Sequence, residues 1–99
     1  MNRAEVITRL KAIEPALRAH GVGALYLFGS SARDEARDDS DIDVFVDPGS
    51  DALYRFTHYM DAYETLQKAF PGTEVGYSTR DGLVRFYRSE IENEAIRVF

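Results

Sequence analysis

Residues 27–47 read LFGSSARDEARDDSDIDVFVD, and the interpretation of the whole chain depends on this stretch. It begins in a short apolar run, Ala24 to Phe28, which is suited to a buried strand. Gly29 and Ser30 follow at a predicted strand-to-helix turn, after which the chain becomes strongly charged. From Asp41 to Asp47 apolar residues alternate with other residues, and this pattern predicts a second strand.

Helical periodicity lies on both sides of this stretch. Apolar residues spaced three and four apart over residues 2–19 predict an amphipathic helix, which Pro15 should kink or restart. A second helix is predicted from Leu53 to Phe70, a third strand from Thr73 to Thr79, and helix again for the C-terminal stretch. Strands separated by helices favour an α/β (α+β) fold, here a small mixed sheet of about three strands flanked by helices.

Composition excludes several classes of protein. The 99 residues carry 12 Lys and Arg against 17 Asp and Glu, a formal charge of −5, and no cysteine. We expect one domain over residues 1–99, without disulfides or thiolate metal sites, and a cytoplasmic location. No apolar run approaches the ~18 residues of a membrane span, and the charged N-terminus is unlike a signal peptide. The acidic balance disfavours direct binding to nucleic acid, whereas homo-oligomer formation stays possible.

Two carboxylates in the quoted stretch suit a metal ion. Asp41 and Asp43 are two residues apart on a predicted strand, so both should project from the same face. Their mutual repulsion is relieved by a divalent cation, and Mg²⁺ prefers one or two carboxylates together with substrate phosphate oxygens. Free N–H groups at the Gly29–Ser30 turn attract a phosphate. The sequence therefore outlines a nucleotide site.

The acidic residues of this stretch suggest two other interpretations. Six of them lie between positions 34 and 43: Asp34, Glu35, Asp38, Asp39, Asp41 and Asp43. Such clusters are most often solvated loops, and carboxylate density alone leaves that alternative open. A calcium loop of the EF-hand kind is excluded, because Val44 stands where a glycine makes the turn and Ser50 where a bidentate Glu is needed.

The same residues carry a family resemblance. Gly29-Ser30, ten residues and then Asp41-Ile42-Asp43 resemble the signature of the polymerase-beta-like nucleotidyltransferase superfamily. The flanking residues also fit: Leu27, Phe28, Ala32, Arg33, Ser40 and Val46. With the C-terminal segment SEIENEAIRVF, the chain resembles the minimal nucleotidyltransferases (MNT), which act as antitoxins beside HEPN-domain toxins.

This resemblance implies a function and a set of site residues. Asp41 and Asp43 would be catalytic and bind two Mg²⁺ ions, while Gly29, Ser30 and Arg33 would bind the phosphates of ATP. Family members of this kind transfer AMP to a tyrosine of the partner toxin. We therefore expect a magnesium-dependent nucleotidyltransferase whose partners are a nucleoside triphosphate and a HEPN-type toxin.

One position departs from the family pattern. Relatives carry a third carboxylate on the third strand, where this chain has Gly76. Glu74 lies two residues earlier, on the same face of the predicted strand and about 6.5 to 7 Å away, and is the expected catalytic substitute. The alternative is a catalytically degenerate antitoxin that neutralises its partner by occlusion.

Overall fold

The helices and strands follow the predicted order with one addition. The computed structural model describes all 99 residues. The strands are β1 (Val22–Phe28), β2 (Ile42–Pro48), β3 (Val75–Thr79) and β4 (Ile96–Arg97). The α-helices are α1 (Arg3–Ala12), α2 (Glu14–Ala19), α3 (Gly29–Ala32), α4 (Phe56–Ala69) and α5 (Arg88–Glu94), with short 3₁₀ turns at Asp51–Tyr54 and Arg80–Gly82. None of the helices is both long and apolar enough to cross a membrane.

The four strands form one mixed sheet in the order β3-β2-β1-β4. β1 is antiparallel to both of its neighbours, and β2 and β3 are parallel. The predicted fold class is confirmed, but the prediction of three strands was one short. The C-terminal helix ends at Glu94, and Ile96 then pairs with Leu27 of β1. Helical spacing of apolar residues misled the prediction, because pairing with an available strand edge decides the conformation of so short a segment.

Pro15 restarts the N-terminal helix. α1 ends at Ala12 and α2 begins at Glu14, so Pro15 lies in the first turn of α2. Proline is tolerated there because the first backbone N–H groups of a helix have no partner within it. Asn2 caps α1, since its side-chain oxygen accepts a hydrogen bond from the Glu5 amide at 2.9 Å.

The core lies between the helices and one face of the sheet. Fully buried members come from α1, α2, α4, the central strands and Phe70 at the end of α4, and include Val6, Leu10, Leu17, Leu25, Leu27, Val44, Val46 and Leu66. The opposite face is also covered at its centre, where the Phe45 ring stacks on Tyr26 at 4.8 Å between centroids. Burial on both faces fixes β2 firmly in the sheet, and β2 carries the predicted metal ligand Asp43.

Candidate functional site

The sheet register brings the separated parts of the sequence motif together. Phe28, the last residue of β1, pairs with Asp43 of β2, and Asp43 pairs with Gly76 of β3. Gly29 follows Phe28 directly and begins α3. Three positions that are far apart in the chain, namely 29, 43 and 76, therefore lie side by side where the C-terminal end of β1 meets the N-terminal ends of β2 and β3.

The Asp43 carboxylate lies between two glycines. A Cβ at position 29 would be 2.6 Å from Asp43 Oδ2, and a Cβ at position 76 would be 2.6 Å from Asp43 Oδ1. Gly29 also has a φ of +74°, a left-handed conformation that favours glycine. Both glycines thus leave the space that this carboxylate occupies, and a methyl group at either position would displace it.

The environment of Asp43 disfavours its negative charge. Burial raises the pKa of Asp43, and the neighbouring carboxylate of Asp41 raises it further, with an opposing contribution from Arg33. Asp41 itself is exposed and Asp43 is half-buried. A divalent cation at this pair would relieve both the burial cost and the repulsion, because it compensates the charge directly.

The donor set fits Mg²⁺ in combination with a substrate. Two hard carboxylates are what Mg²⁺ ordinarily takes from a protein when phosphate oxygens and waters complete its shell. No group of three or more His, Cys, Asp or Glu side chains gathers closely enough to hold a metal ion by itself. Asp41 and Asp43 are therefore suited to a metal that arrives with a nucleotide.

The predicted phosphate-binding residues lie in the short helix α3, which contains Gly29 and Ser30, and directly after it, at Arg33. The Gly29 amide donates to Glu94 Oε1 at 2.9 Å, and Arg33 Nη1 donates to Glu94 Oε2 at 2.9 Å. Arg33 Nε also donates to Glu35 Oε2 at 3.3 Å. Ser30 is half-buried, and neither its amide nor its hydroxyl has a hydrogen-bond donor or acceptor in the protein. The turn therefore keeps free donors at Ser30.

Glu94 contacts two of the predicted site residues and was not itself predicted from the sequence. It lies 65 residues from Gly29 and 61 from Arg33, and no local motif marks it. The one available signal is its place in an acidic C-terminal helix, which is ordinary for a solvated helix face.

Glu74, the expected third carboxylate, is exposed and lies just before β3. Its backbone carbonyl accepts a hydrogen bond from the Ile42 amide at 2.9 Å, which fixes the start of the β2–β3 pairing. Its side chain is exposed to solvent. The structure thus brings Asp41, Asp43, Gly29, Ser30 and Arg33 into one region, and the backbone of Glu74 lies beside Ile42 at the start of β2, between Asp41 and Asp43.

Comparisons with known proteins agree with the fold and indicate the family. The family model described as "Nucleotidyltransferase domain" matches residues 5–98. A solved structure of a protein classed as a minimal nucleotidyltransferase has a TM-score of 0.76 and 28% identity, covering 97% of this chain and 95% of that one. A toxin–antitoxin solved with AMP-PNP has a TM-score of 0.65 and 17% identity, covering 100% of this chain and 73% of that one. Among curated proteins, none matches this sequence significantly.

A protein of Sulfolobus solfataricus classed as a nucleotidyltransferase is a more distant neighbour, with a TM-score of 0.52, 15% identity, and coverage of 96% of this chain and 80% of that one. The fold is that of the minimal nucleotidyltransferases. The family match extends over nearly all of the sequence, and the chain belongs to the nucleotidyltransferase domain family.

Proposed function

We propose that this protein is a magnesium-dependent nucleotidyltransferase that transfers AMP from ATP to a tyrosine hydroxyl of a HEPN-type toxin, and so acts as an antitoxin. One observation carries the proposal. The Asp43 carboxylate is seated between Gly29 and Gly76, beside a turn whose Ser30 donors are free. Family membership supports nucleotide transfer, and the likeness to a toxin–antitoxin solved with AMP-PNP supports the choice of nucleotide and partner.

The site residues divide into two groups in this proposal. Asp41 and Asp43 hold Mg²⁺, which when bound neutralises the triphosphate and the leaving pyrophosphate. Gly29 and Ser30 form the turn that receives the phosphates, and Arg33 supplies the nearby positive charge. The Ser30 amide and hydroxyl are suited to this role because they carry donors that no protein group satisfies.

The proposed reaction is an in-line displacement at the α-phosphorus. The tyrosine oxygen forms a bond to that phosphorus, the bond from the phosphorus to the oxygen bridging to the β-phosphate breaks, and pyrophosphate leaves. The phenolic proton passes to a carboxylate. Glu74 is the proposed acceptor, since it is the acidic residue nearest to Gly76 in the sequence and lies just before β3, where its carbonyl accepts from the Ile42 amide.

Gly76 favours a second candidate function. Without a carboxylate at that position, and with no group of three acidic side chains gathered at the site, the protein is suited to neutralising its partner by occlusion alone. The two functions differ in whether Asp41 and Asp43 are needed once the complex has formed.

Toxin inhibition by the wild type and by the Asp41→Ala/Asp43→Ala double variant distinguishes the two. A transferase needs ATP and Mg²⁺ and leaves the toxin inactive after the antitoxin is removed, and the double variant fails to protect. An occluding antitoxin protects equally well without ATP, the double variant retains protection, and toxin activity returns on separation. The second pattern would overturn the transferase proposal.

A further inference from the structure

We propose that Glu94 is a positioning residue of the nucleotide site, whose carboxylate holds the Gly29 amide and the Arg33 guanidinium in the arrangement that receives phosphate. This inference rests on the proposed function and deepens it. In this proposal the C-terminal helix α5 contributes to the nucleotide site, although it lies outside the Gly-Ser and Asp-x-Asp signature of the family.

The hydrogen bonds of Arg33 show how Glu94 orients its guanidinium. Its Nη1 donates to Glu94 Oε2 at 2.9 Å and its Nε to Glu35 Oε2 at 3.3 Å, whereas Nη2 has no partner in the protein. The shorter contact, to the less exposed Glu94, orients the guanidinium, and the remaining amino group stays available to a phosphate oxygen. Charge-assisted hydrogen bonds of this kind are short and orienting, and a planar guanidinium fixed in advance loses less freedom when it binds.

The second oxygen of the same carboxylate fixes the turn. Glu94 Oε1 accepts from the Gly29 amide at 2.9 Å, and Gly29 is the left-handed residue at which α3 begins. The Gly29 amide is therefore bonded within the protein, whereas the amide and hydroxyl of Ser30 stay free to donate to a ligand. One carboxylate thus sets both the backbone part and the side-chain part of the proposed phosphate site.

Glu94 is itself held on two sides. Just after it, Ile96 pairs with Leu27 of β1. Just before it, Glu92 accepts from Arg80 Nη1 at 2.8 Å, and Arg80 also makes a two-point ion pair with Asp47 of β2 at 2.8 and 2.9 Å. The end of α5 is therefore attached to both central strands, which gives the carboxylate a defined position. An isolated surface ion pair would lack that support.

The opposite effect of Glu94 is competition, in which its carboxylate occupies the Gly29 amide and the Arg33 guanidinium and so weakens phosphate binding. The affinity for Mg²⁺·AMP-PNP distinguishes support from competition. We expect Glu94→Ala to weaken binding about tenfold, the scale of one charge-assisted hydrogen bond. Glu94→Gln should lose less, because its amide oxygen can still accept from Gly29. Glu90→Ala is the matched control for Glu94→Ala: it makes the same change on an exposed residue of α5 and should leave affinity unchanged.

A double-mutant cycle with Arg33→Ala tests whether Glu94 acts through Arg33. If it does, removal of Glu94 costs clearly less in the Arg33→Ala background than in the wild type. A purely structural role would instead give the same loss in both backgrounds. Equal or tighter nucleotide binding by Glu94→Ala, or full additivity of the two changes, would overturn the proposal.

Failure of the proposed function can be distinguished from failure of the positioning role of Glu94. If the wild type does not bind Mg²⁺·AMP-PNP, the nucleotide function is wrong, and NMR of the free protein still tests the positioning. We expect Glu94→Ala to move the Gly29 amide and Arg33 Nε–H resonances, with Glu90→Ala leaving both in place. Unchanged resonances in Glu94→Ala would show that Glu94 holds neither group.

Discussion

Asp43 and Gly76 are partners in the parallel register of β2 and β3, and Asp43 Oδ1 lies 2.6 Å from where a Cβ at position 76 would be. The glycine therefore does more than omit an acid. It provides the space in which the carboxylate of the neighbouring strand rests, as Gly29 does from the other side. A side chain restored at position 76 would have to move the carboxylate that we propose as the principal metal ligand.

The first prediction concerns Gly76→Ala. The added methyl group should rotate the Asp43 carboxylate and weaken Mg²⁺-dependent nucleotide binding about tenfold, which is the usual cost of disturbing a metal ligand's support. The fold should persist, because the nearest atoms are the end of a side chain. Titration calorimetry with Mg²⁺·AMP-PNP measures the change.

Gly72→Ala is the contrasting control for that prediction. Gly72 has a φ of +79° and open space around its Cβ position. Alanine there should lower the free energy of unfolding by about 1 kcal/mol and leave nucleotide affinity unchanged. Equal affinity in both variants would mean that Gly76 does not support the site.

The second prediction is a pH dependence that arises from Asp43. Because burial and Asp41 raise its pKa in the folded state, the folded protein binds that proton more tightly than the unfolded chain. The preferential protonation of Asp43 in the folded state adds to the free energy of unfolding. This contribution is fully present below the ordinary aspartate pKa of about 3.9 and is lost as the pH rises through the higher pKa of Asp43 in the folded protein. Asp43→Asn should therefore be more stable than the wild type at pH 7, with the advantage disappearing at acidic pH.

Urea unfolding of the wild type and Asp43→Asn, measured from acidic pH to pH 7, checks this pH dependence. Asp39→Asn makes the same change on an exposed loop residue and is the control. Mg²⁺ with a nucleotide should raise the unfolding midpoint of the wild type more than that of Asp43→Asn. An Asp43→Asn protein that is less stable than the wild type at pH 7 would contradict the prediction.

The third prediction concerns a buried hydroxyl. Tyr77 packs against Tyr59 with ring centroids 4.6 Å apart, and its hydroxyl is buried without a hydrogen-bond partner. Burial raises the pKa of Tyr77, as expected for a phenol removed from water. Tyr77→Phe should raise the free energy of unfolding by about 1 kcal/mol, since it removes an unsatisfied polar group. Denaturant unfolding measures the change, and Tyr54→Phe, at an exposed position, is the control that should leave the free energy of unfolding unchanged. Destabilisation by Tyr77→Phe would show that the Tyr77 hydroxyl has a hydrogen-bond partner.

The fourth prediction concerns Arg80. Its guanidinium contacts Asp47 and Glu92 and lies over the rings of Tyr26 and Phe45, with distances of 4.9 and 5.0 Å to their centroids. Lysine cannot reproduce the two-point pairing or the stacking, so Arg80→Lys should cost about 2 kcal/mol of unfolding free energy. Arg85→Lys, at an exposed position, is the matched control. Similar stability of both variants in chemical denaturation would contradict this role.

The sequence predicted the parts of the fold that local physics decides. Pro15 divides the first helix, and alternating residues from Ile42 to Val46 place β2, because proline geometry and strand periodicity act within a few residues. The strand β4 and the contacts of Glu94 escaped prediction, because both depend on which distant edge or turn the C-terminal segment meets. Gly76 was recognised as a departure from the family pattern, but its packing against Asp43 becomes visible only from the strand register.

The measurement that tests the central claim most directly uses ATP labelled at either the α- or the γ-phosphate, with Mg²⁺ and the HEPN-type partner. We predict that only the α-label appears on the partner, on tyrosine, and that the Asp41→Asn/Asp43→Asn double variant transfers none. Transfer of the α-label without the γ-label is the signature of nucleotide transfer. A stable complex in which neither label reaches the partner would contradict the account and leave occlusion as the function.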